Sequence, residues 1–511
     1  MKKFWRVVLS RTFLFAILAL VQIAFFAWLI TEFSRIGTTT YTILTILSVL
    51  VIVLVFEKDD INPAYRMMWM MIVVVLPITG AAFYLLWGNR NIGRKKSRVF
   101  AELEARGDSV LQQDEAVLAA FTKKETHLAP MARYLAAYAN PLYADTACEY
   151  YAWGEEFFPR FIEELQKAKK YVFLEYFIID EGEMWDKTLA ILKEKAAAGV
   201  DVRVAYDFVG SLFTLDGDYP QQLRAYGIQC EAFNPIHFSW HISDYTLLNH
   251  RNHRKVAVID GNVGFTGGLN FADEYINKRE RFGIWKDTAF LLRGPGVYSL
   301  TVTFLKTWDY MTGGVSALEA YRPSLKAEAD CCVQPYADTP IDAENISESA
   351  YLHVINHTKE YVYITTPYLV IDHEMMTALT LAAKSGIDVR IITPGIPDKW
   401  YVYYVTQSYY KVLLQAGVRI YEFTPGFLHA KMYVSDDKTA IVGSANMDYR
   451  SLYLHFENCC AFYGGHMVKD VKADMLRTFE KSHEITMQDV DRTGLVKRLL
   501  QLFFRFFSPM L

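Results

Sequence analysis

Two histidine–lysine pairs, His253 with Lys255 and His429 with Lys431, are the residues of this chain best suited to chemistry. They stand in HRKVAVID and HAKMYVSD, and both stretches obey one formula, H-x-K-x4-D-x6-G-[GS]-x-N. The formula also takes in Asp260, Gly267, Gly268 and Asn270 in the first copy, and Asp436, Gly443, Ser444 and Asn446 in the second. Alternate side chains of an extended strand share a face, so each copy presents an imidazole beside an ammonium. One imidazole can attack phosphorus and become a phosphohistidine, while the other protonates the departing alkoxide. Lys255, Lys431, Asn270 and Asn446 can hold the non-bridging oxygens as charge shifts onto them. The set suits a phosphodiester. No convincing His/Cys/carboxylate ligand set accompanies it, and neither a metal nor a cofactor is expected.

A lone buried histidine is usually a packed core residue. Here the lysine two positions on would then bury two unpaired cations, which is costly; a cleft that binds phosphate removes the difficulty. Asp260 and Asp436 complete the two catalytic sets, although they fall on the opposite parity from the histidines, at turn-like Asp-Gly and Asp-Asp pairs. A supporting role suits them better than a reactive one. Each imidazole also needs a carboxylate to fix its tautomer, and Asp287 and Glu457, downstream of the first and second copies, are the candidates.

The elements that position these groups also occur twice. Tyr171 to Ile179 reads as a buried strand, Leu189 to Ala198 as a helix stopped by Gly199, and Val202 to Tyr206 as the next strand. The order returns as a strand from Tyr361 to Ile371, a helix from Met376 to Lys384, Gly386, and a strand from Val389 to Thr393. GVDVR at 199–203 reappears as GIDVR at 386–390. Two related α/β halves of one enzyme domain follow.

The chain has 511 residues, 52% hydrophobic and 22% charged, with a net charge of −4. That is too apolar for an ordinary soluble enzyme, and it lacks the basic balance of a nucleic-acid binder. Three apolar runs, Thr12 to Ile30, Tyr41 to Phe56 and Met67 to Trp87, suggest two or three membrane helices. Pro77 and Gly80 would let the third kink or re-enter. Basic residues flank both the first run and the third, which three full crossings cannot reconcile with the positive-inside rule. The tail LVKRLLQLFFRFFSPML, 495–511, reads as an amphipathic helix lying in the headgroup plane. None of the six cysteines shows a C-x-x-C spacing, and buried apolar packing is their expected role.

The paired formula resembles the HKD motif of the phospholipase D superfamily over roughly residues 140–485. GSANMDYRSLYLHFEN (443–458), WKDTAFLLRGPGV (285–297) and LPITGAAFYLLWG (76–88) are similar to segments of bacterial cardiolipin synthases. The resemblance implies two tandem phospholipase D-like repeats, mixed sheets flanked by helices, forming one pseudo-twofold catalytic domain behind transmembrane helices. The domains would run 1–90 (membrane), 91–140 (helical connector), 141–320 (first half), 321–345 (linker), 346–485 (second half) and 486–511 (membrane-associated tail). It implies a multi-pass protein of the bacterial plasma membrane that joins two phosphatidylglycerol molecules into cardiolipin and releases glycerol, with His253 as nucleophile and His429 as acid and base. Rival readings are a membrane phospholipase D releasing phosphatidic acid, a nuclease of the same superfamily, which the acidic balance opposes, and an inactive scaffold, which two intact motifs oppose.

Overall fold

The structure, a computed structural model, describes residues 20, 24, 37–57, 62–88, 92–236, 246–342 and 344–510. The chain divides into two compact units, one of residues 1–93 with 238–249 and Met510, the other of the remainder.

In the first unit the run Thr12 to Ile30, apart from Leu20 and Ala24, lies outside the described residues. The second run forms the helix Gly37–Phe56. The third is broken: a helix Pro63–Val75 gives way at Leu76, and a helix Pro77–Phe83 continues into a π turn, Tyr84–Gly88. Pro77 causes the break, because it has no N–H to continue the ladder and sits instead at the first turn of the new helix. Gly80 lets the two pieces approach, since a Cβ there would stand 2.6 Å from the Ile72 carbonyl oxygen. Among the described residues no helix is long and apolar enough to cross a membrane, so the expected transmembrane helices are not supported.

The second unit contains both halves. In the first, seven strands lie in the order Ala147–Tyr151, Ala289–Arg293, Val263–Gly267, Val256–Ile259, Tyr171–Tyr176, Asp201–Asp207, Gln229–Phe233. The second repeats this path strand for strand: Cys332–Asp338, His455–Tyr463, Thr439–Gly443, Met432–Ser435, Tyr361–Thr365, Asp388–Pro394, Arg419–Phe423, then Ser482–Ile485. Parallel and antiparallel pairs occur in both sheets. Helices Glu183–Ala197 and His373–Lys384 make the equivalent crossovers. An apolar core joins the halves, with Phe290 of one against Phe462 of the other at 5.0 Å.

Three expectations change. The strands from Tyr171 and Tyr361 end at Tyr176 and Thr365, because the chain beyond leaves the ladder and bridges Phe271 and Asp448 through Ile179 and Val370. The stretch read as a linker, 321–345, holds the strand Cys332–Asp338. Pro335 fits this strand, which on the sheet path pairs with His455–Tyr463 alone among the described residues, because an edge tolerates proline. Asp260 and Asp436 are backbone anchors and not members of the reacting set. Each sits at positive φ in the turn after the strand that follows its H-x-K, roughly 20 Å along an extended chain from the histidine. Asp260 accepts from the N–H groups of Lys169, Lys170 and Tyr171 at 2.9, 2.7 and 3.0 Å. Asp436 accepts from those of Lys359, Glu360 and Tyr361 at 2.7, 2.9 and 3.0 Å. Each carboxylate thus fixes the start of its half's central strand.

Replacing Asp260 by Ala strands three amides at once and is expected to destabilise the second unit by about 2–4 kcal/mol, charge-assisted bonds being the stronger kind. Unfolding of the full chain in detergent measures this, and a melting temperature equal to that of the unsubstituted protein would refute the anchoring role.

Candidate active site

Each histidine stands where its chain changes partners. Arg251 and Asn252 pair in parallel with His455 and Phe456 of the opposite half, after which the chain passes through His253, Arg254 and Lys255 into its own sheet at Val256. Gly426–Leu428 likewise pairs in parallel with Ile284–Lys286, and the chain passes through His429 to Lys431 before rejoining its sheet at Met432. The His253 N–H donates to the Phe456 carbonyl at 2.9 Å and the His429 N–H to that of Lys286 at 2.7 Å. These registers bring each histidine level with the residue that follows the paired stretch of the opposing chain. Those residues are Glu457 and Asp287.

Both carboxylates therefore act across the halves. His253 Nδ1 lies 2.9 and 3.0 Å from the two Glu457 oxygens, and His429 Nδ1 lies 2.6 Å from Asp287 Oδ2. With Nδ1–H donating to the carboxylate, each imidazole keeps its Nε2 lone pair for other work. The G-[GS] step of the motif serves these carboxylates. A Cβ at Gly268 would stand 2.1 Å from Asp287 Oδ1, and the equivalent Ser444 hydroxyl donates to Glu457 Oε2 at 2.5 Å. The Thr288 N–H completes Asp287's bonding at 2.8 Å.

Lys255 and Lys431 are each 1% exposed. Lys255 Nζ donates to the His253 carbonyl at 2.5 Å; Lys431 Nζ donates to that of His429 and lies 2.8 Å from His429 Nδ1. Burial first, then neighbouring cations, sets the protonation states. Both imidazoles are pushed well below the ordinary histidine value by burial, and further by Lys255 and Lys431, with His429 adding to the effect on His253. Burial also lowers Lys255 strongly and brings Lys431 down to about 8, while it raises Asp287 to about 6.

The asparagines are partly committed to their own halves. Asn270 accepts from the Ile178 N–H at 3.1 Å and donates to Tyr275 Oη at 2.6 Å. Asn446 donates to Asp448 at 3.0 Å, leaving a buried Oδ1 with no partner among the described residues. Sequence reasoning missed the rings that line the site. Phe177 and His455 lie 5.0 and 5.6 Å from the His253 ring, and Tyr275, Trp285 and Phe427 each lie 5.6 Å from that of His429. His455 and Trp285 each precede their carboxylate by two residues, a repeat that an internal alignment of the halves brings out. His253, His455 and Glu457 also offer ligand atoms within 4.8 Å of one another, a set the sequence did not reveal. Two of the three are already bonded to each other and two buried lysines stand nearby, which disfavours a dication there.

Comparison with known proteins agrees with this architecture. Residues 161–291 and 351–480 match the family described as "Cardiolipin synthase, PLD-like domain", and residues 43–89 match "Phospholipase_D-nuclease N-terminal". An uncharacterized protein of Streptococcus mutans is 41% identical over 87% of this chain and 96% of its own length. A cardiolipin synthase of Geobacillus kaustophilus is 35% identical over 92% and 94%. The crystal structure of a phosphatidylserine synthase from Haemophilus influenzae shares the fold, with a TM-score of 0.55, 15% identity, and coverage of 71% of this chain and 95% of that one. On the repeated family match and these full-length relatives, the chain belongs to the phospholipase D-like cardiolipin synthase family.

Proposed function

We propose that this protein is a cardiolipin synthase that moves a phosphatidyl group from one phosphatidylglycerol to another and releases glycerol. The observation that carries the reading is the crossed pairing of each imidazole with the other half's carboxylate, beside two buried lysines. In the first step His253 Nε2 attacks phosphorus while the Nδ1–H stays on Glu457, which stabilises the imidazolium as it forms. His429 protonates the glycerol oxygen as the P–O bond breaks, then accepts the proton of the incoming lipid alcohol, which attacks the phosphohistidine. Lys255 and Lys431 hold the non-bridging oxygens. The same lysines depress His429 in the free protein. A bound phosphodiester offsets their charge, so His429 gains its proton when substrate is present to use it. Water in place of the second lipid would give phosphatidic acid, and the products separate the two outcomes.

The proposal places the protein at the bacterial plasma membrane, with an inserted, multi-pass amino-terminal segment. Ile43, Ile46, Leu47, Leu50 and Leu54 on the first described helix, and Met67, Met71 and Val74 on the next, are exposed and apolar, as suits a lipid surface. At the other end the helix Leu495–Phe506 leans on the helix Trp400–Ala416 through Phe504 against Trp400 and Arg505 over Tyr409. Its Leu495, Leu499, Leu502 and Phe506, spaced by a turn each, remain exposed with Val496 and Phe503. An apolar stripe with basic neighbours suits the headgroup plane.

Purified protein in phosphatidylglycerol vesicles is expected to yield cardiolipin and glycerol, and His253→Ala to lower turnover at least about 10³-fold without loss of the fold. Phosphatidic acid as the sole product, or normal turnover in that variant, would overturn the reading. The pH profile is expected to be bell-shaped. Activity rises through about 6 as Asp287 ionises and falls through about 8 as Lys431 loses its charge. Lys431→Arg keeps the charge and moves the alkaline limb upward; an unmoved limb would assign it elsewhere. Leu499→Asp with Phe503→Asp is expected to cut activity on vesicles at least about tenfold and to spare activity on short-chain lipid dispersed in detergent. Equal loss in both assays would mean a purely structural tail.

A further inference from the structure

In an in-line displacement the leaving alcohol departs opposite the attacking imidazole, and the next alcohol must enter where the first left. If His253 attacks, as the reading above holds and this inference assumes, both glycerol headgroups occupy the His429 side. That side is a cup made by Tyr275, Trp285 and Phe427, each 5.6 Å from the His429 ring.

Two buried polar atoms have no partner among the described residues: Trp285 Nε1, a donor in the cup itself, and Asp398 Oδ1, an acceptor whose carboxylate lies near enough to act by its charge on Tyr275 and Lys431. The other Asp398 oxygen accepts from the Tyr368 hydroxyl at 2.6 Å, and Tyr368 packs against the apolar cluster that contains Tyr275, Trp285 and Phe427. The Asp398 loop is fastened to the strand that delivers His429. The Gly395 N–H donates to the Phe423 carbonyl at 3.0 Å and the Ile396 N–H to that of Gly426 at 3.2 Å. Gly283 makes room for this contact, since a Cβ there would stand 2.6 Å from the Pro425 oxygen and 3.1 Å from the Ile396 side chain. The corresponding loop of the first half, after Asp201–Asp207, carries no such carboxylate. There the Ser211 hydroxyl accepts from the Ile179 N–H at 3.1 Å and donates to the Phe177 carbonyl at 3.3 Å.

A buried donor in the cup and a buried acceptor near Tyr275 and Lys431, both left open, call for a ligand that both gives and takes hydrogen bonds. A vicinal diol does so. We propose that Asp398, assisted by the Trp285 indole N–H, recognises the free hydroxyls of the glycerol headgroup, both as it leaves and as the second lipid brings its own. Asp398 is then a specificity residue: it favours glycerol-headed lipids over those whose headgroup offers no hydroxyl, because such a headgroup leaves the carboxylate unpaired.

The test compares headgroup release by the full chain from two lipids in vesicles, phosphatidylglycerol and phosphatidylethanol, each with added methanol, which has no second hydroxyl, as the acceptor that clears the phosphohistidine. Both leaving groups are alkoxides that need the same acid, and only one carries further hydroxyls. Asp398→Ala is expected to lower release of glycerol at least about tenfold, mainly through KM, and to change release of ethanol by less than about twofold, with Asp398→Asn between. An equal fall with both lipids, or none with either, would overturn the inference. Headgroup release is read whether the phosphatidyl group ends on methanol, on lipid or on water. A chain that makes only phosphatidic acid would therefore sink the cardiolipin reading, while the two-lipid comparison still decides on Asp398.

Discussion

The candidate active site depends on two short parallel pairings between the halves, Arg251–Asn252 with His455–Phe456 and Gly426–Leu428 with Ile284–Lys286. Neither half holds a complete histidine–carboxylate pair. His253 needs Glu457 from the second half and His429 needs Asp287 from the first. A slip of one residue in either pairing would turn the carboxylate to the other face. Pairings of two or three residues are too short to set their own register, so the shared apolar core must hold it. The orientation of two imidazoles is thereby a property of the whole domain.

The charges explain why so buried a site can exist. Two lysines, two imidazoles and two carboxylates lie together with little access to water. Burial and the neighbouring lysine charges hold both imidazoles well below the ordinary histidine value in the free protein. In the proposed mechanism that leaves His253 neutral for attack, and a bound phosphodiester, by pairing with the lysines, permits His429 its proton, so that binding and activation are one event.

Much of this was legible in the sequence because repetition removes ambiguity. Two copies of one motif at equivalent places in two strand–helix–strand runs announced the duplicated fold, and the need for a tautomer pointed to Asp287 and Glu457, which lie against the two imidazoles. The parity of Asp260 and Asp436 already set them apart from the histidines, and the structure ties them to three amides each. What stayed hidden was long-range. No local pattern tells that each carboxylate serves the other half's histidine, since that depends on how the halves dock. The stretch 321–345, read as a linker, holds an edge strand whose partner lies more than a hundred residues away, and the break in 67–87 falls at Pro77, where Pro77 and Gly80 had allowed a kink.

A duplicated site poses a last question, since two equivalent imidazoles must do different work. The scaffold treats them alike, with the same register, the same Nδ1 partner class and the same lysine two residues on. Their surroundings do not match. His253 faces Phe177 and His455, and its Glu457 is steadied by the Ser444 hydroxyl; His429 sits in three aromatic rings, and its Asp287 closes on the bare backbone of Gly268. Both lysines donate to their own histidine's carbonyl, but Lys431 also lies 2.8 Å from His429 Nδ1. The open carboxylate oxygen of Asp398 has no counterpart on the first half's loop. Symmetry in the backbone thus supplies the orientation both imidazoles share, and divergence in the rings and polar groups around them supplies the difference a directed group transfer requires.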